Sequence, residues 1–326
     1  MKLRLVTWNL WNSFRQIRSP IEIEFLEPWQ RIYQRYKMQE SWLQSKDVDV
    51  FLLQEVNPFF QRRKRWEKDF VSMNSQIDQG GLRLFGYGIP ANFQNALVNL
   101  SQHPLKKISS PRLSREWACN TAAFSLQWQE ARYALISELD LYDERLLLVN
   151  THLHHGIEWT NHLEKVMQKL KSQIDKQVYD DFIYEISLSA KKRKEQLQKL
   201  MHIVGKLQKH YHKIVIAGDF NLSEDAADFE IIRSRGFRHY HLNPEYSWSR
   251  EENYENIVYT NQILSQSTPK ALHEVLVENT LRSKNLDHFF VSESLEVRSL
   301  EAYGNEKGSQ NFLPSDHLGV KIELEL

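Results

Sequence analysis

A single cysteine, Cys119, stands in 326 residues. A lone thiol excludes an internal disulfide framework and fits a reducing compartment. Neither sign of charge is in excess, because 42 lysines and arginines face 42 aspartates and glutamates. The chain therefore lacks the bulk positive field of a non-specific polyanion binder, which leaves open a local basic cleft. No apolar run is long enough to span a bilayer, and the N-terminus enters a strand pattern directly, without a signal-peptide layout. No Pro/Gly/Ser-rich linker, internal repeat or low-complexity tract divides the sequence. The expectation is one domain over residues 1–326, monomeric and cytoplasmic. Signal-less secretion and peripheral membrane contact are the other options left open.

What is present is organised around Lys213–Leu222, KIVIAGDFNL. Its β-branched run reads as a buried strand that ends in a carboxylate and a carboxamide. Side chains alternate in an extended segment, so Asp219 and Asn221 share a face opposite Phe220. An Asx-type turn is the plainer reading of that ending. The same design recurs along the chain. Lys2–Leu10 is a strand ending at Trp8-Asn9. Asp49–Val56 is a strand carrying Gln54-Glu55 into its end, with Asn57-Pro58 as the cap and first turn of a helix. Thr121–Gln127, Tyr133–Leu141 and Arg145–Asn150 read as a meander of strands, the last leading into Thr151-His152-Leu153-His154-His155. Leu286–Ser292 is a strand with Asp287 at its start, and Asp316-His317 lies in a loop before the final strand. The histidine cluster admits zinc as one meaning, but the companion donors are oxygens, which suit a harder ion such as Mg²⁺.

Between these strands, residues 14–46 read as mostly helical, with Trp29, Ile32, Tyr33 and Tyr36 at helical spacing. Residues 158–210 carry two apolar stripes, Leu163, Val166, Met167, Leu170, Ile174 and Val178, then Leu197, Leu200, Met201, Val204 and Leu207. The run Lys191–Lys194 reads as the solvated start of the second helix. Ser223 reads as the cap of a short helix, and residues 239–249 as an aromatic loop. Phe59–Trp66, FFQRRKRW, is either a grip for a phosphate backbone or a solvated helix face with inward aromatics.

In order, the blocks WN, QE, THL, GDFN, LDH and SDHLGV resemble the endonuclease/exonuclease/phosphatase superfamily, which includes exonuclease III, deoxyribonuclease I, neutral sphingomyelinases, deadenylases and inositol-polyphosphate 5-phosphatases. The resemblance runs from Asn9 to His317. It implies an α/β (α+β) four-layer sandwich, two mostly antiparallel facing sheets with helices outside. It also implies a Mg²⁺ ion, or Mn²⁺ in its place, held by Glu55 with Asn9 beside it and Asp316 nearby. Asp219 would orient or deprotonate the attacking water, and Asn221 would hold the phosphate. His152 would donate to the transition state. His317 would pair with Asp287 and serve as base or phosphate donor.

The departures concern substrate. Where many relatives carry a GNA block and then LSR with a proline, this chain has Gln94-Asn95-Ala96 and Leu100-Ser101-Gln102-His103-Pro104. Asn95 and His154 are candidate substrate contacts. The inositol-phosphatase tryptophan-cysteine-aspartate-arginine block is absent. A helical segment at about 158–190 lengthens the connection after THLHH, as an added lid, wall or partner surface. The expectation is a metal-dependent phosphohydrolase, first a phosphodiesterase or nuclease whose partner is a phosphate ester such as nucleic acid. A sphingomyelinase-like phospholipid hydrolase or a phosphomonoester phosphatase is the alternative within the enzyme class. A non-catalytic scaffold on the same fold is the alternative outside it.

Overall fold

The computed structural model describes residues 1–326 less 12–13, 18–22, 26–28, 46, 57–68, 76–82, 85–86, 89–95, 115–117, 120–127, 130–131, 143, 157, 250–252, 254–281 and 309–311. Strands are numbered along the chain. One six-stranded sheet contains β1 (Lys2–Asn9), β4 (Val50–Val56), β5 (Ser72–Ser75), β8 (Ala96–Ser101), β17 (Glu296–Tyr303) and β18 (Gly319–Glu325), in the order β17-β18-β1-β4-β8-β5. The other contains β9 (Leu105–Ser109), β12 (Ala134–Leu141), β13 (Glu144–His152), β14 (Ile214–Asp219), β15 (Phe237–Tyr240) and β16 (Asp287–Ser292), in the order β15-β16-β14-β13-β12-β9. Pairing is antiparallel except between β1 and β4 and between β13 and β14. Among the described residues, three short pairs lie outside these sheets: β2 (Phe14–Ile17) with β3 (Ile23–Phe25), β6 (Arg83–Leu84) with β7 (Tyr87–Gly88), and β10 (Ala118–Cys119) with β11 (Trp128–Gln129).

Strand alternation builds the layers. Leu3 and Leu5 of β1, Val50 and Leu52 of β4, Leu146 and Leu148 of β13, and Val215 and Ala217 of β14 meet in one buried cluster between the sheets. The residues between them turn outward. Val6, Trp8, Phe51 and Leu53 pack toward Leu43 of the helix Trp29–Leu43. Ile214 and Ile216 pack against Leu197, Leu200, Met201 and Val204 of the helix Lys176–Leu207. Central strands buried on both faces need a continuous apolar run, which is what these segments carry. The result is the expected helix–sheet–sheet–helix sandwich.

The facing surfaces also share a polar seam. Gln54 Nε2 donates to Asn150 Oδ1 (2.8 Å) and Thr7 Oγ1 (3.1 Å). Asn150 Nδ2 donates to Asn99 Oδ1 (3.0 Å) and to the carbonyl of Leu53 (3.0 Å), and Asn99 Nδ2 donates to Ser137 Oγ (3.0 Å). All five side chains are buried, so these bonds satisfy groups that water cannot reach. They tie β4 and β8 of one sheet to β12 and β13 of the other.

Several local expectations change. Residues 14–17 and 23–25 pair as a hairpin, and the helix starts only at Trp29. A sequence with proline at 20 and 28 disfavours a continuous helix, and the alternation of IEIEF is a strand pattern. The break between the two expected helices falls earlier, giving Asn161–Leu170 and Lys176–Leu207, capped by the side chains of Thr160 and Asp175. The Lys191–Lys194 run lies inside the longer helix, and its Arg193 is fully buried, donating to the Gly156 carbonyl (3.0 Å). Ser223 does not cap the helix Glu230–Arg233; its N–H and hydroxyl both donate to Glu158 (3.0 and 2.6 Å). Of the loop expected at 239–249, His239 and Tyr240 belong instead to the strand Phe237–Tyr240. The segments 57–66 and 121–127 lie outside the described residues, as does Asn95.

Candidate active site

The residues that close each inner-face stripe are polar, and they gather at one end of the sandwich. Asn9 continues the inner face of β1, His152 that of β13, Asp219 that of β14 and Asp287 that of β16. His152 lies beside Asp219 in register, and Asp219 lies beside Asp287. Alternation alone would turn Glu55 outward, because Leu53 faces the outer core. The register of β4 against β8 shifts between Leu53 and Val56, and Glu55 has φ +52°. Such a bulge re-aims a side chain, and it turns Glu55 toward Asn9. A non-glycine residue in this region carries strain that clusters at functional sites. Asn221 also has a positive φ, of 51°, where asparagine is among the better tolerated residues.

Gly218 sets the approach of β14 to β13. It has φ +147°, and a Cβ there would lie 1.8 Å from the Thr151 carbonyl oxygen. No side chain fits, so the residue before Asp219 has to be glycine.

Asp219 Oδ2 is the hub of the cluster. It accepts from Asn9 Nδ2 at 2.9 Å, lies 3.4 Å from His152 Nε2, and lies 4.0 Å from His317 Nε2. Its other oxygen accepts the Asn221 N–H at 2.8 Å. Glu55 Oε1 accepts from Asn9 Nδ2 at 3.3 Å and lies 4.0 Å from His152 Nε2. The Asn9 amide presents its nitrogen to both carboxylates, while its oxygen accepts the Trp11 N–H (3.0 Å). A ligand role for Asn9 would require the opposite amide orientation. Asn221 Nδ2 donates to the Leu153 carbonyl (3.1 Å).

His317 Nδ1 and Asp287 Oδ2 are 2.7 Å apart and buried. The carboxylate accepts a hydrogen bond from Nδ1–H and leaves Nε2 facing Asp219. Burial pushes Asp287 up to about 6, against the pull of the His317 charge. Burial on its own would disfavour a charged His317. The carboxylates of Asp287, Asp316 and Asp219 outweigh it and hold the ring well above the usual histidine range. Burial also raises Asp316, opposed by His317 and Arg35. The Asp316 carboxylate takes a hydrogen bond from Ser315 Oγ (3.3 Å), and that hydroxyl also donates to the Asn9 carbonyl (2.6 Å).

The structure thus brings together Asn9, Glu55, His152, Asp219, Asn221, Asp287, Asp316 and His317. His154 has a different setting: its N–H donates to Gln196 (2.9 Å), and its ring lies 5.3 Å from that of His155. Sequence reasoning missed Ser247, whose hydroxyl accepts the N–H groups of Leu286 and Asp287 (2.9 and 3.1 Å), and the seam residue Asn150. Neither departs from ordinary strand or loop composition, so no local pattern marks it.

The donor chemistry fits a hard divalent cation: carboxylates and carboxamides, with no sulfur. Among the described residues no group of three or more His, Cys, Asp or Glu side chains is spaced to chelate an ion. A Mg²⁺ held through one or two carboxylates, with water completing its shell, does not require one.

The Endonuclease/Exonuclease/phosphatase family model matches residues 6–317. The chain belongs to this family. Family members are hydrolases acting on phosphoric ester bonds, and this chain is one of them. Its fold is similar to that of TDP2 from D. rerio complexed with single strand DNA product, at 15% identity and TM-score 0.56, covering 100% of this chain and 99% of that one. TDP2 from C. elegans aligns at 12% identity and TM-score 0.58, covering 100% and 75%. The mannosyl-6-phosphatase of Bacteroides thetaiotaomicron aligns at 15% identity and TM-score 0.57, covering 99% and 100%. At these identities the likeness concerns the fold alone. No curated protein matches the sequence. No described helix is long and apolar enough to cross a membrane.

Proposed function

We propose that this family member is a divalent-metal-dependent phosphodiesterase acting by in-line attack of water, with nucleic acid or a related diester as substrate. The observation that carries the reading is the Asp219 carboxylate, held at once by Asn9 and the Asn221 N–H and facing both His152 and His317. Glu55 would hold Mg²⁺, or Mn²⁺, with Asp316 at its edge. The ion, when bound, supplies Lewis-acid polarisation of a phosphoryl oxygen and stabilises the leaving oxygen. Asp219 orients the attacking water and takes its proton. His152 donates through Nε2 to a phosphoryl oxygen as negative charge develops. His317, kept protonated by Asp287 and its acidic neighbours, is suited to donate from Nε2 rather than to accept. The single-strand DNA product bound by the TDP2 neighbour favours a diester. The mannosyl-6-phosphatase neighbour, alike at the level of fold, supports a phosphomonoester as the second reading. We read residues 1–326 as one domain in which the helical segment near 158–190 is an addition to the family core.

The test is hydrolysis of bis(p-nitrophenyl) phosphate and of p-nitrophenyl phosphate with Mg²⁺, wild type against Asp219→Asn, with a chelator control. The expected result is diester turnover that the chelator abolishes and the substitution lowers on the order of 10²–10⁴-fold. Monoester turnover alone would favour the second reading. Wild-type protein that binds no Mg²⁺ and turns over neither ester would refute the proposal.

A further inference from the structure

The helix Trp29–Leu43 covers the outer face of the first sheet, and its buried stripe contains Ile32, Tyr36 and Leu43. Two polar residues interrupt that stripe at i, i+4 spacing, Arg35 and Gln39, which are 3% and 0% exposed. Burying a guanidinium and a carboxamide is costly unless their bonds are made. Leucine or methionine would fill both places without that cost.

Their partners explain the choice. Gln39 Nε2 donates to the carbonyls of Leu10 (2.6 Å) and Pro314 (2.7 Å). Leu10 follows Asn9, and its own N–H donates to the carbonyl of Gln54, the residue before Glu55. Pro314 precedes Ser315, whose hydroxyl reaches the Asn9 carbonyl and accepts the His317 N–H (3.2 Å). Arg35 Nη1 donates to the Leu313 carbonyl (2.7 Å), and its guanidinium lies 4.5 Å from the Trp11 ring centroid and 5.3 Å from that of Phe312. Trp11 in turn donates its N–H to Asn9 Oδ1. One carboxamide and one guanidinium therefore join the Asn9–Trp11 loop to the Phe312–His317 loop. Among the described residues no strand pairing spans these two loops, since the β1–β18 pairing ends at Thr7 and Val320.

We propose that Arg35 and Gln39 are positioning residues, fixing Asn9 and Glu55 relative to Asp316 and His317. The inference rests on the functional reading given above. Partners that orient a metal site from behind its ligands control affinity and rate without touching substrate. A displacement of about 1 Å in such a site can cost about 10²-fold in rate.

The test compares wild type with Gln39→Met, which removes both donors at similar volume. Gln39→Asn, which shortens their reach, and Arg35→Lys, which keeps the charge without the planar fork, carry the test if Gln39→Met does not fold. Four quantities are read: kcat and KM for bis(p-nitrophenyl) phosphate at saturating Mg²⁺, Mg²⁺ affinity by titration calorimetry, and Tm. Positioning requires kcat to fall roughly 10–100-fold and Mg²⁺ binding to weaken, with KM close to wild type in folded protein. A purely structural staple would lower Tm and leave kcat per folded molecule and Mg²⁺ affinity unchanged, which would overturn the proposal. If wild type turns over and binds Mg²⁺ while the variants match it, only the positioning role falls. If wild type does neither, the functional reading falls and takes this one with it.

Discussion

Replacing Asn150 with leucine tests whether the polar seam holds the sheets in register. The side chain makes four contacts across the sandwich: from Gln54 at 2.8 Å, to Asn99 Oδ1 and the Leu53 carbonyl at 3.0 Å each, and to the Val98 carbonyl at 3.3 Å. Leucine has a similar volume, so cavity formation is a small part of the effect. Gln54 Nε2 keeps Thr7 Oγ1 and the Leu52 carbonyl. Asn99 Oδ1 loses a buried donor. At about 1–3 kcal/mol for each buried polar group left unsatisfied, with one lost outright and others weakened, the expected destabilisation is about 2–4 kcal/mol. Asn150→Asp should cost more, because a carboxylate would face the Asn99 oxygen and two backbone carbonyls without water. The assay is urea unfolding followed by tryptophan fluorescence, with the double variant Asn99→Leu/Asn150→Leu closing a cycle. The double variant should destabilise by less than the sum of the singles. A cost below about 0.5 kcal/mol for Asn150→Leu, or strict additivity, would refute the account of the seam as a coupled network.

Other perturbations have equally definite outcomes. The rings of His239 and His288 share a 3.0 Å contact beneath Phe229 and Phe290, and His288 Nε2 donates to the Leu222 carbonyl. Burial, then His241 and Arg233, lowers His239 to about 3, and burial with neighbouring histidines holds His288 well below the usual range. The unfolded chain therefore takes up protons near pH 6.5 that the fold refuses. The stability contributed by these two histidines should be full above pH 6.5 and be lost as pH falls below it, by roughly 1.4 kcal/mol per pH unit for each, down to about pH 3 for His239. His288→Phe should flatten the slope between pH 6.5 and 5; an unchanged slope in a folded variant would assign the acid sensitivity elsewhere. Gly218→Ala places a Cβ against the Thr151 carbonyl, so soluble protein with wild-type Tm would contradict the backbone geometry at β14.

The strand ends were legible because alternation is a strict rule. Asn9, His152, Asp219 and Asp287 each continue an inner-face stripe, whose apolar members are Leu3 and Leu5, Leu146 and Leu148, Val215 and Ala217, and Phe289 and Val291. Glu55 was legible as a strand-end acid but not in its direction, which depends on the bulge after Leu53 and a positive φ. Residues acting across the sequence were not legible. Arg35 and Gln39 look like the solvated side of a helix, because the carbonyls that hold them lie about 280 residues downstream at Leu313 and Pro314. Arg193 is hidden in a lysine run, and Ser223 looks like a cap until Glu158 arrives from another segment. The period of a pattern gives the face, and only tertiary contact gives the partner.

The order in which the polypeptide supplies its parts has a biosynthetic consequence. Strand β1 pairs on one side with β18, residues 319–325, more than 300 residues further along, and in the facing sheet β14 pairs with β16. Growing chains released or stalled before residue 317 carry Asn9, Glu55 and Asp219 without the ring that faces them. On the function proposed above, products that stop before His317 should not hydrolyse phosphoesters, because the ring that faces Asp219 has not been made.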